Sequence, residues 1–332
     1  MLKFTKEQEQ FIINERINYD KKHAAMAANF EQGGLIEGNA STLPRDVWAE
    51  WDREAVQLQR DELVIFNDLS PINKSMPLGK LVHHFMTVGD SGTVNISLDG
   101  RSSAKTDAPV FEYHGTPLPI IDSTFGYGWR DMLASQTEGY SIDSAPRANS
   151  LRKVAEKIED LMLNGDASIS VGDSKLYGLR TAPRRMTGTH NLTLRTATAK
   201  QVYELFRDII SKFHAKKFMS PVTFYVNYSD WFRWSTTDYS EQKSEGSILT
   251  KILTIPGVSK IVPSMRVLDD EVLGIVKRSD VYQILNGMPI VTRPISRHNE
   301  TDDYNFKIMA ALSIELKFDH DGNAGYIQYT KS

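Results

Sequence analysis

The residues best suited to chemistry form the string Gly89-Asp90-Ser91-Gly92, which matches the nucleophile loop of trypsin-like serine proteases, with His83 and His84 as bases nearby. In those proteases the nucleophile follows a widely spaced His and Asp across two β-barrels, whereas Ser91 falls in the first third of this chain. Four such residues at a strand entry also make an ordinary turn, and a turn is the expectation here. The eight histidines (His23, His83, His84, His114, His190, His214, His298 and His320) include no H-E-x-x-H and no i, i+4 pair, so no metal site is expected. Asp319-His320-Asp321-Gly322-Asn323 resembles the start of a calcium loop, but no glycine falls at its sixth position and its twelfth residue is Thr330. A turn explains that run better. A phosphate-cradling G-x-x-x-x-G-K-[ST] is missing, and Gly126-Tyr127-Gly128 lacks the third glycine of a dinucleotide fingerprint. The basic cluster Arg184, Arg185, His190 and Arg195 reads as a solvated loop after Pro183, and Trp231, Phe232 and Trp234 read as core. The chain is expected to be no enzyme and to carry no cofactor.

Composition narrows the remaining classes. The chain has 332 residues, 40% apolar and 24% charged, enough for a core and slightly more than one core comfortably fills. Lys+Arg at 39 against Asp+Glu at 42 leaves a charge of −3, unlike a protein that neutralises phosphates to hold nucleic acid. With no cysteine, disulfides, thiolate nucleophiles and Cys-ligated metals are excluded, and stability must come from packing and association. No apolar run approaches the roughly 18 residues of a membrane span, and the opening MLKFTKEQEQ lacks a signal-peptide core. The expectation is a protein made and folded in cytoplasm, with no membrane partner.

Two amphipathic helices are expected first. One runs from Thr5 to about Asn29, and the second opens at Leu43-Pro44 and carries Val47, Trp48, Trp51, Ala55 and Leu58 on one face. Two helices ahead of any strand suggest an arm. Residues 67–116 then turn Gly-, Ser- and Asp-rich, and the alternating runs Thr93–Leu98 and Val110–Tyr113 predict a long β-hairpin. Such a hairpin is marginal alone in water and must lie against its own domain or a neighbouring subunit. The spacing of Leu151, Val154, Ala155, Ile158, Leu161 and Met162 predicts a helix ending at Gly165, with Arg152, Lys153, Glu156, Lys157, Glu159 and Asp160 outward. A second helix over 199–213 opens with a capping box, Thr198 and Gln201, and buries Val202, Leu205, Phe206, Ile209 and Ile210. A strand at 222–226, a short Trp231/Trp234 helix capped by Ser229, a helix at 248–253 and strands at 258–262 and 272–277 follow. The end reads as a long strand 306–318, an Asp321-Gly322 turn and a closing strand through Tyr326 and Tyr329.

The order Pro117-Leu118-Pro119-Ile120-Ile121, Phe125, Trp129-Arg130-Asp131, Ile142-Asp143, Arg152–Glu156, Glu159-Asp160, Leu163-Asn164-Gly165 and Tyr177-Gly178-Leu179 resembles the shell-forming family of encapsulins and tailed-phage major capsid proteins. Phe224–Trp231 is similar to the strand-then-helix of that family's axial domain. The resemblance implies an α+β, Hong Kong 97-type capsid fold. It implies an N-terminal helical arm (1–66), an extended loop (67–116), a peripheral domain (117–195 and 295–332) with a spine helix over 146–163, and an axial domain (196–294). It further implies self-assembly through hexamers and pentamers into an icosahedral phage head around double-stranded DNA, with portal and separate scaffolding or decoration proteins as partners. An encapsulin-like compartment around a cargo enzyme is the alternative. Trp48, Trp51, Val94, Ile96, Arg101, Val110, Trp129, Arg130, Asp131, Glu156 and Glu159 are the candidate subunit contacts.

Overall fold

The computed structural model describes residues 63–91, 98, 108–138, 145–240 and 246–332, together with positions 14, 17 and 21. Asn14, Ile17 and Lys21 are helical, while Trp48, Trp51, Val94, Ile96 and Arg101 lie outside the described residues. The chain divides into two compact units. The smaller holds Asp122–Ala155 and Ile290–Ala310, and the larger holds Leu63–Ile121, Glu156–Pro289 and Ala311–Ser332.

The larger unit begins with a short helix α1 (Val64–Leu69), whose neighbour Leu63 and members Ile65 and Leu69 are fully buried. Strand β1 (Asn73–Ser75) follows, and then β2 (Val82–Val88) pairs antiparallel with β3 (Phe111–Pro117) in the register Val88↔Phe111 to Val82↔Pro117. The hairpin expected from the sequence is present, but the strand that pairs with β3 is 82–88. The expected first strand over 93–98 falls almost wholly outside the described residues. Two adjacent histidines, His83 and His84, hide the alternation of β2 from a hydrophobicity pattern.

Strand β4 (Ile121–Tyr127) leads into helix α2 (Trp129–Glu138), and the long helix α3 (Ala145–Asn164) contributes residues to both units. Its apolar stripe is buried as its spacing predicts, from Leu151 and Val154 through Ile158, Leu161 and Met162. Gly165 ends the helix at φ +65°, where a Cβ would stand 2.4 Å from the Leu176 carbonyl oxygen, so only glycine fits. Arg152, Lys153 and Lys157 are exposed, but Glu159 is 1% exposed, contrary to the expected solvent-facing side. Its carboxylate is occupied by backbone amides, as described below.

Beyond α3, strands β5 (Gly165–Val171) and β6 (Ser174–Tyr177) form a second hairpin, and β7 (Met186–His190) follows. Helix α4 (Ala199–Ala215) opens with the expected box: Thr198 accepts from the Gln201 amide and Gln201 reaches back to the Thr198 amide at 2.9 Å. Strand β8 (Val222–Asn227) runs into helix α5 (Tyr228–Thr236), capped by Asn227, whose side chain accepts from the Ser229 amide at 2.9 Å, so Ser229 is not the cap. Helix α6 (Ile248–Leu253), strands β9 (Val258–Ser264) and β10 (Val272–Val276), and long strands β11 (Tyr282–Pro294), β12 (Tyr304–Leu316) and β13 (Tyr326–Lys331) complete the chain.

One sheet of the larger unit has the order β7-β13-β10-β8-β9. Phe206 of α4 meets Phe224 of β8 edge-on at 5.0 Å and Trp234 of α5 at 5.6 Å, which builds its core. In the same unit β1 runs parallel to the start of β11, with Asn73 opposite Ile284. In the smaller unit Phe125 of β4 stacks on Phe306 of β12 at 5.1 Å, and Tyr127 meets the same ring at 6.1 Å. The turn between β12 and β13 forms as expected, with the Asn323 amide donating to Asp319 and Gly322 at φ +75°. The two strands do not form a hairpin, since β12 and β13 belong to different sheets.

Candidate functional site

Side chains two apart on a strand share a face, so the pairs Val88↔Phe111 and Met86↔Tyr113 put four large apolar groups on one side of the β2/β3 ribbon. All four are open to solvent: Met86 is 49% exposed, Val88 48%, Phe111 51% and Tyr113 68%. Val110, one residue before β3, is also exposed, and its carbonyl accepts from the Gly89 amide at 2.8 Å. Water is a poor neighbour for so much contiguous apolar surface, and a two-stranded ribbon cannot hide it by itself.

The opposite face is partly covered. Phe85 and His114 lie against the ring of Phe318, at 5.6 and 4.6 Å, and Thr87 is buried beside them. The root of the ribbon is fastened by polar contacts. His83 Nδ1 is 2.7 Å from Glu315 Oε1, and Glu315, wholly buried on β12, also accepts from the Gln283 side chain. The Leu118 amide donates to the Leu81 carbonyl at 2.9 Å. At Gly115 a Cβ would come within 2.1 Å of the Ser174 hydroxyl oxygen, so the glycine is what lets the start of β6 close on the ribbon. His83 is thus engaged by Glu315, and with it the nucleophile-and-base reading of Ser91 loses a partner.

A second cluster sits where α3 meets α1. The Ile65 amide donates to Glu159 Oε1 at 2.8 Å, and the neighbouring Val64 and Phe66 amides also favour the charged carboxylate. Burial nonetheless pushes the Glu159 carboxyl up to about 7, against the downward pull of those amides and of Arg266. At the other end of α1, Asp68 takes the Tyr225 hydroxyl at 2.8 Å and Lys277 at 2.7 Å, and the Tyr282 hydroxyl donates to the Leu69 carbonyl at 3.2 Å.

The remaining expected contact residues are scattered. Glu156 is half-buried and pairs with Arg266 at 3.4 Å within the subunit. In the smaller unit the Trp129 amide donates to Asp303 at 3.2 Å, the Arg130 guanidinium lies 5.3 Å from the Trp129 ring centre, and both Arg130 and Asp131 are exposed. Of the candidate contacts among the described residues, only Val110 belongs to the open hairpin surface. The exposed apolar residues Met86, Val88, Phe111 and Tyr113 are not among those candidates, although the alternation of Val110–Tyr113 already carries half of this pattern. Among the described residues no group of three or more His, Cys, Asp or Glu could hold a metal ion, and no helix is long and apolar enough to cross a membrane.

Comparison with known proteins adds the family and the fold. Residues 38–329 match the model of a family of unknown function, DUF6260. No curated protein matches in sequence. Among solved structures, the capsid of Myoviridae phage XM1 superposes with a TM-score of 0.65 at 12% identity, covering 81% of this chain and 92% of that one. A virus-like particle from Pyrococcus furiosus gives 0.58 at 12% identity, covering 85% and 99%. The capsid of a native GTA particle gives 0.56 at 9% identity, covering 81% and 90%. The long α3 helix, the anchored β2/β3 ribbon and the mixed five-stranded sheet are therefore parts of a Hong Kong 97-type capsid fold, and the chain belongs to the DUF6260 family.

Proposed function

We propose that this chain is the major capsid protein of a tailed bacteriophage, a non-catalytic subunit that assembles with copies of itself into the icosahedral head around double-stranded DNA. The observation that carries the reading is the open apolar face of the β2/β3 ribbon, Met86, Val88, Phe111 and Tyr113, on a hairpin fastened at its root. An apolar face of this kind is stable when a second subunit covers it. Residues 67–116 then act as the extended loop reaching a neighbour, 146–163 as the spine helix, 196–294 as the axial domain and 1–66 as an arm. Trp129, Arg130 and Asp131 are offered to subunit contacts from the smaller unit. Hexamers and pentamers are the expected capsomers, portal and separate scaffolding or decoration proteins the expected partners, and the virion the expected location. The net charge of −3 suits a wall along which packaged DNA slides without being gripped.

A cargo compartment is the second reading, favoured by the likeness to the Pyrococcus furiosus particle. Expression of the full chain, followed by light scattering, negative-stain microscopy and nuclease treatment, tests both. Megadalton shells that take up nuclease-resistant DNA when expressed beside the neighbouring phage genes support the head. Shells that co-purify with an enzyme and exclude DNA support the compartment. A chain that stays monomeric under all assembly conditions overturns both.

A further inference from the structure

Glu159 is a carboxylate in an unusual position. It sits on α3, 1% exposed, with Oε1 on the Ile65 amide and Oε2 buried without a hydrogen-bond partner. The groups around it are few. On α3 itself are Glu156 and Asp160, and Asp160 is taken by Lys157 at 3.2 Å and Asn164 at 2.6 Å. From the connection between β9 and β10 comes Arg266, already paired with Glu156 at 3.4 Å. From β8 comes the Tyr225 phenol, held on Asp68 and pushed well above its ordinary range by burial and by that carboxylate. From α1 comes Asp68. Burial raises it, but Lys277, Tyr225 and Lys260 outweigh that and hold it below the usual carboxylate range. A charge on Glu159 therefore has three amide dipoles but no cation of its own, in a place from which water is excluded.

We propose that Glu159 makes the 63–69 segment a proton-controlled latch: with the carboxyl neutral, α1 stays closed on α3, and with it ionised the segment opens to let water reach the charge. This segment joins the amino-terminal part of the chain to the hairpin, so the latch sets how firmly the hairpin's origin is held. The proton comes from solvent and returns to it. The direction follows from linkage. The closed form holds its proton up to about 7, while the opened form releases it near the ordinary value of 4.5. Opening is therefore suppressed below that window, grows through it, and is constant above it. Asp68, held below the usual range, does not titrate there.

Hydrogen exchange of the full chain between pH 5 and 8.5, corrected for intrinsic base catalysis, reads this directly at amides 65–70. The expected opening equilibrium rises about tenfold per pH unit from pH 5 to 7 and levels off above. Glu159→Gln keeps an acceptor for the Ile65 amide without the charge and should flatten the profile. Arg266→Gln removes a cation that favours the charged carboxylate and should move the plateau to higher pH, which keeps the test available if the Gln variant fails to fold. A flat wild-type profile, an unchanged slope in Glu159→Gln, or an unmoved plateau in Arg266→Gln overturns the latch. So does the same slope at the core amides of β8 and β10, since that would report whole-unit unfolding instead of a local opening.

Discussion

Arg180 and Glu271 form a two-pronged ion pair inside the larger unit: Nε lies 2.9 Å from Oε1 and Nη2 2.6 Å from Oε2, with Glu271 only 1% exposed. Glu271 also accepts from the Gln328 side chain at 2.8 Å and the Leu268 amide at 3.1 Å, while Arg180 donates to Asn164 Oδ1 and the Arg266 carbonyl. All three guanidinium nitrogens and both carboxylate oxygens are engaged, which is the condition for a buried pair to hold. The pair ties the residues after α3 to the five-stranded sheet. Removing one partner strands the other charge. Arg180→Ala or Glu271→Gln should cost about 3–5 kcal/mol in a chemical denaturation of the unassembled subunit. Replacing both with apolar residues of similar volume should recover part of that loss, and full additivity of the single losses would contradict the pairing.

The hairpin face should behave in the opposite way. Phe111→Ser with Tyr113→Ser removes exposed apolar surface and leaves the His83–Glu315 root untouched. The melting temperature of the free subunit should stay within a degree or two, because surface changes of this kind are usually within about 0.5 kcal/mol. Assembly followed by light scattering should fail. Normal shells from the double variant would remove the hairpin face from the assembly contacts.

On α3 the two sides should separate cleanly. Ile158→Ala or Leu161→Ala deletes fully buried methylenes and should cost about 2–5 kcal/mol, seen as a lowered midpoint in urea. Lys153→Glu, on the exposed side, should be nearly silent in the same titration. Glu159→Lys belongs with the buried set and should unfold or severely weaken the subunit, since it places a cation among inward-pointing amides.

Asp230 offers a test of pH dependence away from α3. Burial, with the Asp270 and Asp269 carboxylates nearby, pushes its carboxyl up to about 6. Because the folded value lies above the ordinary one of 3.8, the folded subunit holds a proton that the unfolded chain has released. Its contribution to stability is fully present below 3.8 and is lost as pH rises through 6. Asp230→Asn should therefore raise the melting temperature at pH 8 relative to the native chain and leave the two alike near pH 4. Calorimetric scans at both pH values measure the difference, and an equal effect at both would show that folding does not shift the Asp230 carboxyl.

The features legible in the sequence are those decided by near neighbours along the chain. The Thr198–Gln201 box, the stripe from Leu151 to Met162, the glycine stop at Gly165 and the Asp319–Asn323 turn all rest on spacings of three to seven residues, and each appears as expected. Strands β2 and β11 were not legible. His83 and His84 blur the first, and Gly287 and Pro289 interrupt the second with residues that ordinarily end strands. Tertiary packing overrides that local signal: Gly287 leaves room for Leu118, whose side chain would stand 2.6 Å from a Cβ there. Sheet membership was likewise decided at long range, since β12 and β13 are joined by a tight turn yet pair with different strands. Glu159 shows why. By spacing it is one more charge on the outer side of a helix, and nothing within α3 distinguishes it from Glu156. It is buried because the first-turn amides of α1, from 94 positions away, need an acceptor at that point in space, and a helix's unsatisfied amides can draw a carboxylate inward that sequence periodicity assigns to water.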